Sequence, residues 1–449
     1  MRIPTAAQPD AAMEALRWEG QPEAYRPDYA RCLTGVMPTV LSLLGRGMPD
    51  PGPENGDAAA GASPASLAGH LPTASPRAAR RVLLLVVDAF GFKELATASA
   101  FASLYGEFGT WITSVFPTIT STCLTSMQFA LPPSRHGVAG HVVWRSPPGA
   151  LVDTLRMQVA GARASLQDSG FDMGLLMPPG TLLGADGQAD IAQGLARFQI
   201  LNHHITGSGL SSLIHSATPL VGFADTLEGM GKAGRMLADM DTGWVGFYTE
   251  LLDSMVHVCA GDGPEVGNLM AYLARGLADM AAAMPPRVVE ETALVVVADH
   301  GQSTIQHRLP LYGDPQRWLE AHTRAVGHSG RTLHVTPRPG QEQAVMAWLR
   351  DYIGARGRVY TAEEVAPLCG PPSADPHWRA QYEAALGQIV AVLNPGHNWL
   401  KRDPAHHRGP RETAPYDTQL LSQHGGLGWD EMFVPLICAP LGALLDARP

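Results

Sequence analysis

The sequence predicts an α/β protein built on an open, mostly parallel sheet with helices on both faces. Uninterrupted apolar runs such as "RVLLLVVDAFG" (81–91) and "TALVVVADHG" (292–301) recur along the chain, as strands buried on both faces do. Helical stretches such as 120–131 and 265–284 lie between them, and that alternation builds parallel sheets. A chain of 449 residues with a 45% apolar share has ample material for such a core.

Residues 1–79 read as an N-terminal extension and linker. "YARCLTGVMPTVLSLLGRG" is a short amphipathic segment expected to pack on the main body, and 47–79 is rich in Pro, Gly, Ala and Ser, the composition of a flexible linker. The core is expected over 80–304 and 401–449. Its strands are read at 81–87, 108–116, 172–178, 243–253, 292–298 and 432–440. Residues 305–400 depart from this rhythm: "RTLHVTP", "QEQAVMAWLRDYIG" and "RVYTAEEVAPL" suggest a small α+β insertion that caps or flanks the sheet.

The net charge of -10 argues against a nucleic-acid polymer as partner, since such a binder carries a basic face. The five scattered cysteines contain no CxxC and read as reduced thiols of a cytoplasmic protein. "MRIPTAAQPDAAMEALRWEG" lacks a charged start followed by an apolar stretch, so no secretory signal is expected. No apolar run reaches the roughly 18 residues of a membrane span.

Ligands of open α/β sheets bind beyond the carboxyl ends of the strands, so the residues that follow each apolar run matter most. Asp88 ends the first. The hydroxyl cluster Thr118, Thr120, Ser121 and Thr122 follows the second. Asp253 ends "VGFYTELLD", with His257 one helical turn later. Asp299 and His300 end "TALVVVADHG", and His424 precedes the last strand. A single Asp after a strand is usually a turn residue and a lone His is usually structural. Three Asp, three His and one hydroxyl on one edge are harder to assign to chance. An Asp-His pair closing an apolar strand is also costly without a partner.

Carboxylate oxygens and imidazole nitrogens ligate zinc at about 2.0–2.2 Å. Six such ligands suit two metal ions, and two ions about 3.5–4 Å apart clamp the attacking and leaving oxygens of an in-line phosphoryl displacement. A nearby cation lowers a hydroxyl's pKa, and the positive end of a helix adds to the effect.

These residues resemble the alkaline phosphatase superfamily, and within it the nucleotide pyrophosphatase/phosphodiesterase branch. The match runs from about 80 to 304 and from about 415 to 440: Asp88, "FPTIT" (116–120), "PSRHG" (133–137), "DSMVH" (253–257), "DHG" (299–301) and "HG" (424–425). The resemblance implies a three-layer sandwich around a mostly parallel central sheet. It implies Thr120 as nucleophile, forming a covalent phospho-threonine, and two divalent ions, zinc or alternatively manganese. Asp88, Thr120, Asp299 and His300 would hold one ion, and Asp253, His257 and His424 the other. The implied substrate is a small phosphate ester, with phosphodiester or nucleotide pyrophosphate bonds first.

Some positions depart from the family pattern. Ser121, Thr122 and Cys123 stand where relatives carry Phe-Pro-Asn, so half of an aromatic slot for a base is missing. Tyr248 matches the other half. His141 stands where relatives place an Asn that binds a phosphoryl oxygen; a protonated histidine there would favour a dianionic group. A phosphomonoesterase or a phosphonoacetate hydrolase-like enzyme is therefore an alternative. A non-catalytic binder on the same fold is an alternative of another class. Sulfatases are excluded because Cys123 is followed by "LTSM", and the Thr of "FPTIT" counts against the related mutases. His203, His204, His397, His406 and His407 fall outside the matched motifs.

Overall fold

A computed structural model of the chain describes residues 2–18, 21, 23–47, 65–178, 192–207, 209–259, 261–406 and 416–447. Most of the expected linker, 48–64, and His407 lie outside the described residues.

The central sheet has seven strands, in the order Gly109–Thr113, Phe433–Pro440, Thr292–Val297, Arg81–Val87, Gly243–Thr249, Ala196–Asn202 and Leu220–Phe223. All run parallel except Phe433–Pro440, which is antiparallel to both of its neighbours. The strands at 81, 243 and 292 start in register, Arg81 opposite both Gly243 and Thr292, and every residue in them is buried. Their carboxyl ends are therefore flush. Extending the register by two residues past Val86–Val297 sets Asp88 level with Asp299.

The reversed strand completes the edge. Because Phe433–Pro440 runs the other way, its amino end lies where the other strands finish, and the preceding loop delivers His424 there. Gly109–Thr113 ends at the same edge and feeds residues 114–119 into helix Thr120–Phe129. That helix is buried along nearly its whole surface. It packs against the N-terminal segment Leu33–Leu43, whose helix Val36–Leu43 also touches the first strand.

The strand expectations fail in two places and miss two strands: the run 243–253 is strand only to Thr249, and Asp253 and His257 sit on helix Leu251–Cys259. Residues 172–178 hold a 3-10 turn at Met173–Leu175, because the Asp172 carboxylate accepts from Gly174 N at 2.9 Å and offers the backbone a turn in place of a ladder. Strands Ala196–Asn202 and Leu220–Phe223 went unread.

A second seven-stranded sheet is antiparallel throughout, in the order Gly357–Thr361, Ile389–Leu393, Thr332–Pro337, Thr323–Ser329, Val142–Arg145, Ala150–Asp153 and Gln158–Val159. It thus joins strands from 323–393 with strands that follow helix Thr120–Phe129 directly. A separate apolar core backs it, with Leu333, Val335, Leu349 and Ala391 fully buried. No helix among the described residues is long and apolar enough to cross a membrane.

Candidate active site

The turn after the first strand bends sharply. Ala89 has φ +62°, a left-handed conformation that non-glycine residues rarely adopt and that tends to gather at functional sites. The bend lets Ala89 N donate to Asp299 Oδ1 at 3.3 Å, and His300 N reaches the same oxygen at 3.0 Å. Asp88 Oδ2 accepts from the Tyr248 hydroxyl. The opposite oxygens, Asp88 Oδ1 and Asp299 Oδ2, are buried and have no hydrogen-bond partner among the described residues. They lie 3.5 Å and 3.3 Å from His300 Nε2.

Thr120, the first residue of its helix, places Oγ1 3.1 Å from the same His300 Nε2. On the other side, Asp253 Oδ1 lies 3.3 Å from His257 Nε2 and 3.7 Å from His424 Nε2. The rings of His300 and His424 stack at 3.8 Å between centroids. All seven acid, imidazole and hydroxyl groups singled out at the strand ends thus converge. Five of them supply ligand atoms in two overlapping sets, Asp253 with His257 and His424, and Asp88 with Asp253 and His300, all atoms within 4.8 Å of one another in each; Asp299 and Thr120 belong to neither set and approach the cluster through His300 Nε2.

Each imidazole is oriented the same way. Nδ1 of His257 bonds Ser422 O at 2.9 Å, Nδ1 of His300 bonds Gly301 O at 3.1 Å, and Nδ1 of His424 bonds Thr118 O at 2.9 Å. A carbonyl on Nδ1 fixes the proton there and leaves Nε2 with its lone pair facing the cluster, the arrangement of ligating histidines. Gln302 Nε2 donates to Asp253 Oδ1 at 2.5 Å, and its Oε1 accepts from Ser422.

Electrostatically, the bare cluster is uncomfortable. Burial, and then the charges of Asp299 and Asp253, push the Asp88 carboxyl well above the usual range, against the Tyr248 hydrogen bond. Burial also raises Asp299, partly offset by His300. Burial, then His300 and His257, hold His424 well below its ordinary value. Carboxylate oxygens with no donor, opposed by imidazole lone pairs, are what a site for cations contains. The residues therefore fit a pair of divalent ions.

The loop bearing His424 is gripped from two directions. Thr118 Oγ1 donates to Gly426 O and accepts from Gly425 N, both at 3.0 Å. From the second sheet, the turn Ser329–Thr332 presses against it. A Cβ on Gly330 would stand 2.0 Å from His424 O, and one on Gly425, which has φ +99°, would stand 2.0 Å from Ser329 O. Beneath, Arg331 and Glu431 form a fully buried ion pair. Arg331 Nε donates to Glu431 at 3.0 Å, and Glu431 also accepts from Gly426 N and Gly428 N.

The two substrate-facing residues read from the sequence fall differently. Tyr248 is 7% exposed on a buried strand, and its hydroxyl is engaged with Asp88, so its ring offers no open face for a base. The neighbouring Ser121, Thr122 and Cys123 are fully buried. His141 keeps 28% of its side chain exposed, with Nε2 3.5 Å from Asp153 Oδ1. His203, His204 and His397 are in neither ligand set; His204 faces Glu250 at 3.6 Å, and His397 pairs with His307 at 4.9 Å between rings. Thr118, Gln302, Ser422 and the Arg331–Glu431 pair were not read as site residues. Of these, Thr118 lies inside "FPTIT" and is named in the hydroxyl cluster without a site role, and Gln302 directly follows "DHG"; the others carried no signal.

Residues 206–417 match the family described as type I phosphodiesterase / nucleotide pyrophosphatase. That span includes Asp253, His257, Asp299 and His300 and leaves Asp88, Thr120 and His424 outside. No curated protein matches the chain. Among solved structures, murine ectonucleotide pyrophosphatase / phosphodiesterase 5 is similar at TM-score 0.54 and 17% identity, covering 80% of this chain and 87% of its own. An inactive variant of that mouse protein in complex with AMP aligns at TM-score 0.53, 17% identity, and 80% and 88% coverage. Phosphonoacetate hydrolase from Sinorhizobium meliloti 1021, in complex with phosphonoformate, is similar at TM-score 0.54 and 16% identity, covering 84% of this chain and 98% of its own. The chain thus resembles the alkaline phosphatase superfamily in its nucleotide pyrophosphatase/phosphodiesterase-like branch, and it has that fold.

Proposed function

We propose that this protein is a metal-dependent hydrolase of phosphate esters, acting on phosphodiester or nucleotide pyrophosphate bonds with Thr120 as nucleophile. One observation carries the reading: the Thr120 hydroxyl, at the start of a buried helix, lies 3.1 Å from a histidine that two partnerless carboxylate oxygens also face.

Asp253, His257 and His424 would hold one divalent ion, and Asp88, Asp299 and His300, with Thr120, the other. The Asp/His set suits zinc or manganese. Bound there, the ions supply positive charge that favours the alkoxide of Thr120 and offsets charge on the phosphoryl oxygens.

The chain's own residues do the rest. Thr120 Oγ1 attacks phosphorus in line, forming the Thr120–O–P bond as the bond to the leaving oxygen breaks. The leaving group departs with its electron pair, and the threonine proton passes to solvent. Amides of the first helical turn, free of intrahelical partners, present partial positive charge to the transferred group. Water then displaces Thr120 from phosphorus and regenerates the hydroxyl. Tyr248 holds Asp88, and Gln302 holds Asp253, in place throughout.

A second reading is favoured by the placement of Tyr248. With its ring buried, a substrate needs no base, and a small phosphomonoester or phosphonate fits as well. AMP in the mouse relative and phosphonoformate in the bacterial one frame that choice.

The test uses protein loaded with zinc or manganese and two substrates, bis-p-nitrophenyl phosphate and p-nitrophenyl phosphate, with and without chelator. Hydrolysis should be chelator-sensitive. Thr120→Ala should abolish turnover and the acid-stable phosphoprotein while retaining metal. Full turnover by Thr120→Ala would remove the nucleophile, and no hydrolysis of either ester by the wild type would favour a binding protein.

A further inference from the structure

We infer that Arg331 and Thr332, on the antiparallel sheet, are positioning residues for His424, so that the ion shared by Asp253, His257 and His424 is held only as firmly as that sheet is docked. The inference rests on the metal-dependent reading above and makes its two ions unequal.

The ligands are built from different parts of the chain. Asp88 and Asp299 close neighbouring strands of the central sheet, and His300 follows directly. The groups that hold them, Tyr248, Ala89 N, His300 N and Ser114 Oγ on Asp299 O at 2.6 Å, all come from central strands and the loops after them. Asp253 and His257 lie one turn apart on helix Leu251–Cys259, which follows a central strand.

His424 is held differently. It opens the irregular stretch 424–428, three of whose five residues are glycine. Such a stretch has few side chains to pack, so hydrogen bonds on its backbone set its course. Several of those bonds lead to the other sheet. His424 O accepts from Arg331 N at 3.1 Å, and Gly425 O accepts from Thr332 Oγ1 at 2.6 Å. Gly426 N and Gly428 N end on Glu431, which the Arg331 guanidinium clasps.

Arg331 and Thr332 are themselves rigid. Ser329 pairs with Thr332 across the two-residue turn Gly330–Arg331, with φ +56° at Gly330. Arg331 O accepts from Leu393 N at 3.2 Å and from Trp399 Nε1 at 3.0 Å, and Arg331 Nη1 donates to Asn394 O at 2.6 Å. Thr332 stands opposite Val392 on the next strand, and both Arg331 and Thr332 are fully buried. The hairpin tip therefore passes the position of its sheet to the backbone of His424 with no flexible side chain between. By linkage, an ion on His424 Nε2 stabilises the docked sheet as much as docking strengthens its binding.

The experiment titrates the zinc-loaded full chain with a competing chelator and counts the ions released, in the wild type, Thr332→Val and Thr332→Ser, with thermal unfolding of the metal-free forms alongside. The wild type should release its ions in two steps. Thr332→Val keeps the shape and leaves Gly425 O unpaired, so it should weaken the looser ion about tenfold, the worth of one buried acceptor, and leave the tighter one unchanged. Thr332→Ser restores the hydroxyl and should restore the affinity. Hydrogen exchange of the segment 329–332 gives an independent readout: the Arg331 amide should gain protection as the looser ion binds. Equal weakening of both ions, unchanged release in Thr332→Val, or no protection of that amide would overturn the inference. A wild type that binds no zinc is a separate result, which removes the metal-dependent reading and this inference with it. Should Thr332→Val fail to fold, exchange in the wild type with one and with two equivalents of zinc decides the matter.

Discussion

Replacing Thr118 by valine keeps the side chain's shape and removes one oxygen. That oxygen satisfies two groups of the His424 loop at 3.0 Å each, Gly425 N–H and Gly426 C=O, at a position with no solvent exposure. Leaving a buried backbone group unpaired costs about 1–3 kcal/mol, so the two together cost at least about 2 kcal/mol unless the loop moves. If it moves, His424 moves with it, because the same residue's carbonyl holds His424 Nδ1. Two kcal/mol is roughly 30-fold in an equilibrium constant, within the about 10–100-fold lost when partners of ligating histidines are removed. Thr122 supplies the control: it is equally buried, but its hydroxyl has no hydrogen-bond partner among the described residues. Thr122→Val should leave stability unchanged or raise it by about 1 kcal/mol. Competition titrations against a chelator, with thermal unfolding of the metal-free forms, measure both. Metal affinity in Thr118→Val equal to wild type, or an equal loss in Thr122→Val, would refute the reasoning.

Other outcomes follow from the same geometry. Asp299→Asn and His424→Ala should lower both bound metal and rate, read by elemental analysis and turnover on the same samples. Arg331→Met should cost about 3–5 kcal/mol in urea unfolding, because it leaves the fully buried Glu431 uncompensated; a loss under about 1 kcal/mol would show that Glu431 is satisfied by Gly426 and Gly428 alone. Glu94 is buried, and neither carboxylate oxygen has a hydrogen-bond partner among the described residues; burial pushes it up from 4.5 to about 8. The folded chain holds a proton there that the unfolded chain has lost, so the linked stability is present below about 4.5 and disappears as pH rises through about 8. Glu94→Gln should flatten that decline in a melting-temperature series from about pH 5 to pH 9, and a wild-type-like slope would assign it elsewhere.

The central sheet was legible because strands buried on both faces must be apolar throughout, and the runs at 81, 243, 292 and 433 are. The residues closing them were legible for a related reason, since charge at the end of such a strand has few uses. Ala196–Asn202 and Leu220–Phe223 were not, because Leu220–Phe223 is the sheet's edge and Ala196–Asn202 lies next to it, both only partly buried, and they carry Arg197 and Gln199 or glycine among their apolar residues. The run at 172–178 misled because hydrophobicity alone cannot see a side chain that folds back on its own backbone. Tyr248 shows the limit at the site: its position could be read, but whether its hydroxyl turns to Asp88 or its ring to a ligand depends on packing.

The antiparallel sheet also has a history in time. During synthesis, Val142–Arg145 leaves the ribosome roughly 190 residues ahead of His328, its partner on the neighbouring strand. At about 5–20 residues per second, that edge waits on the order of 10–40 s. A nascent chain stalled in between exposes an open strand edge, so this interval is the one where a chaperone that shields nascent strand edges would most raise the yield of folded protein.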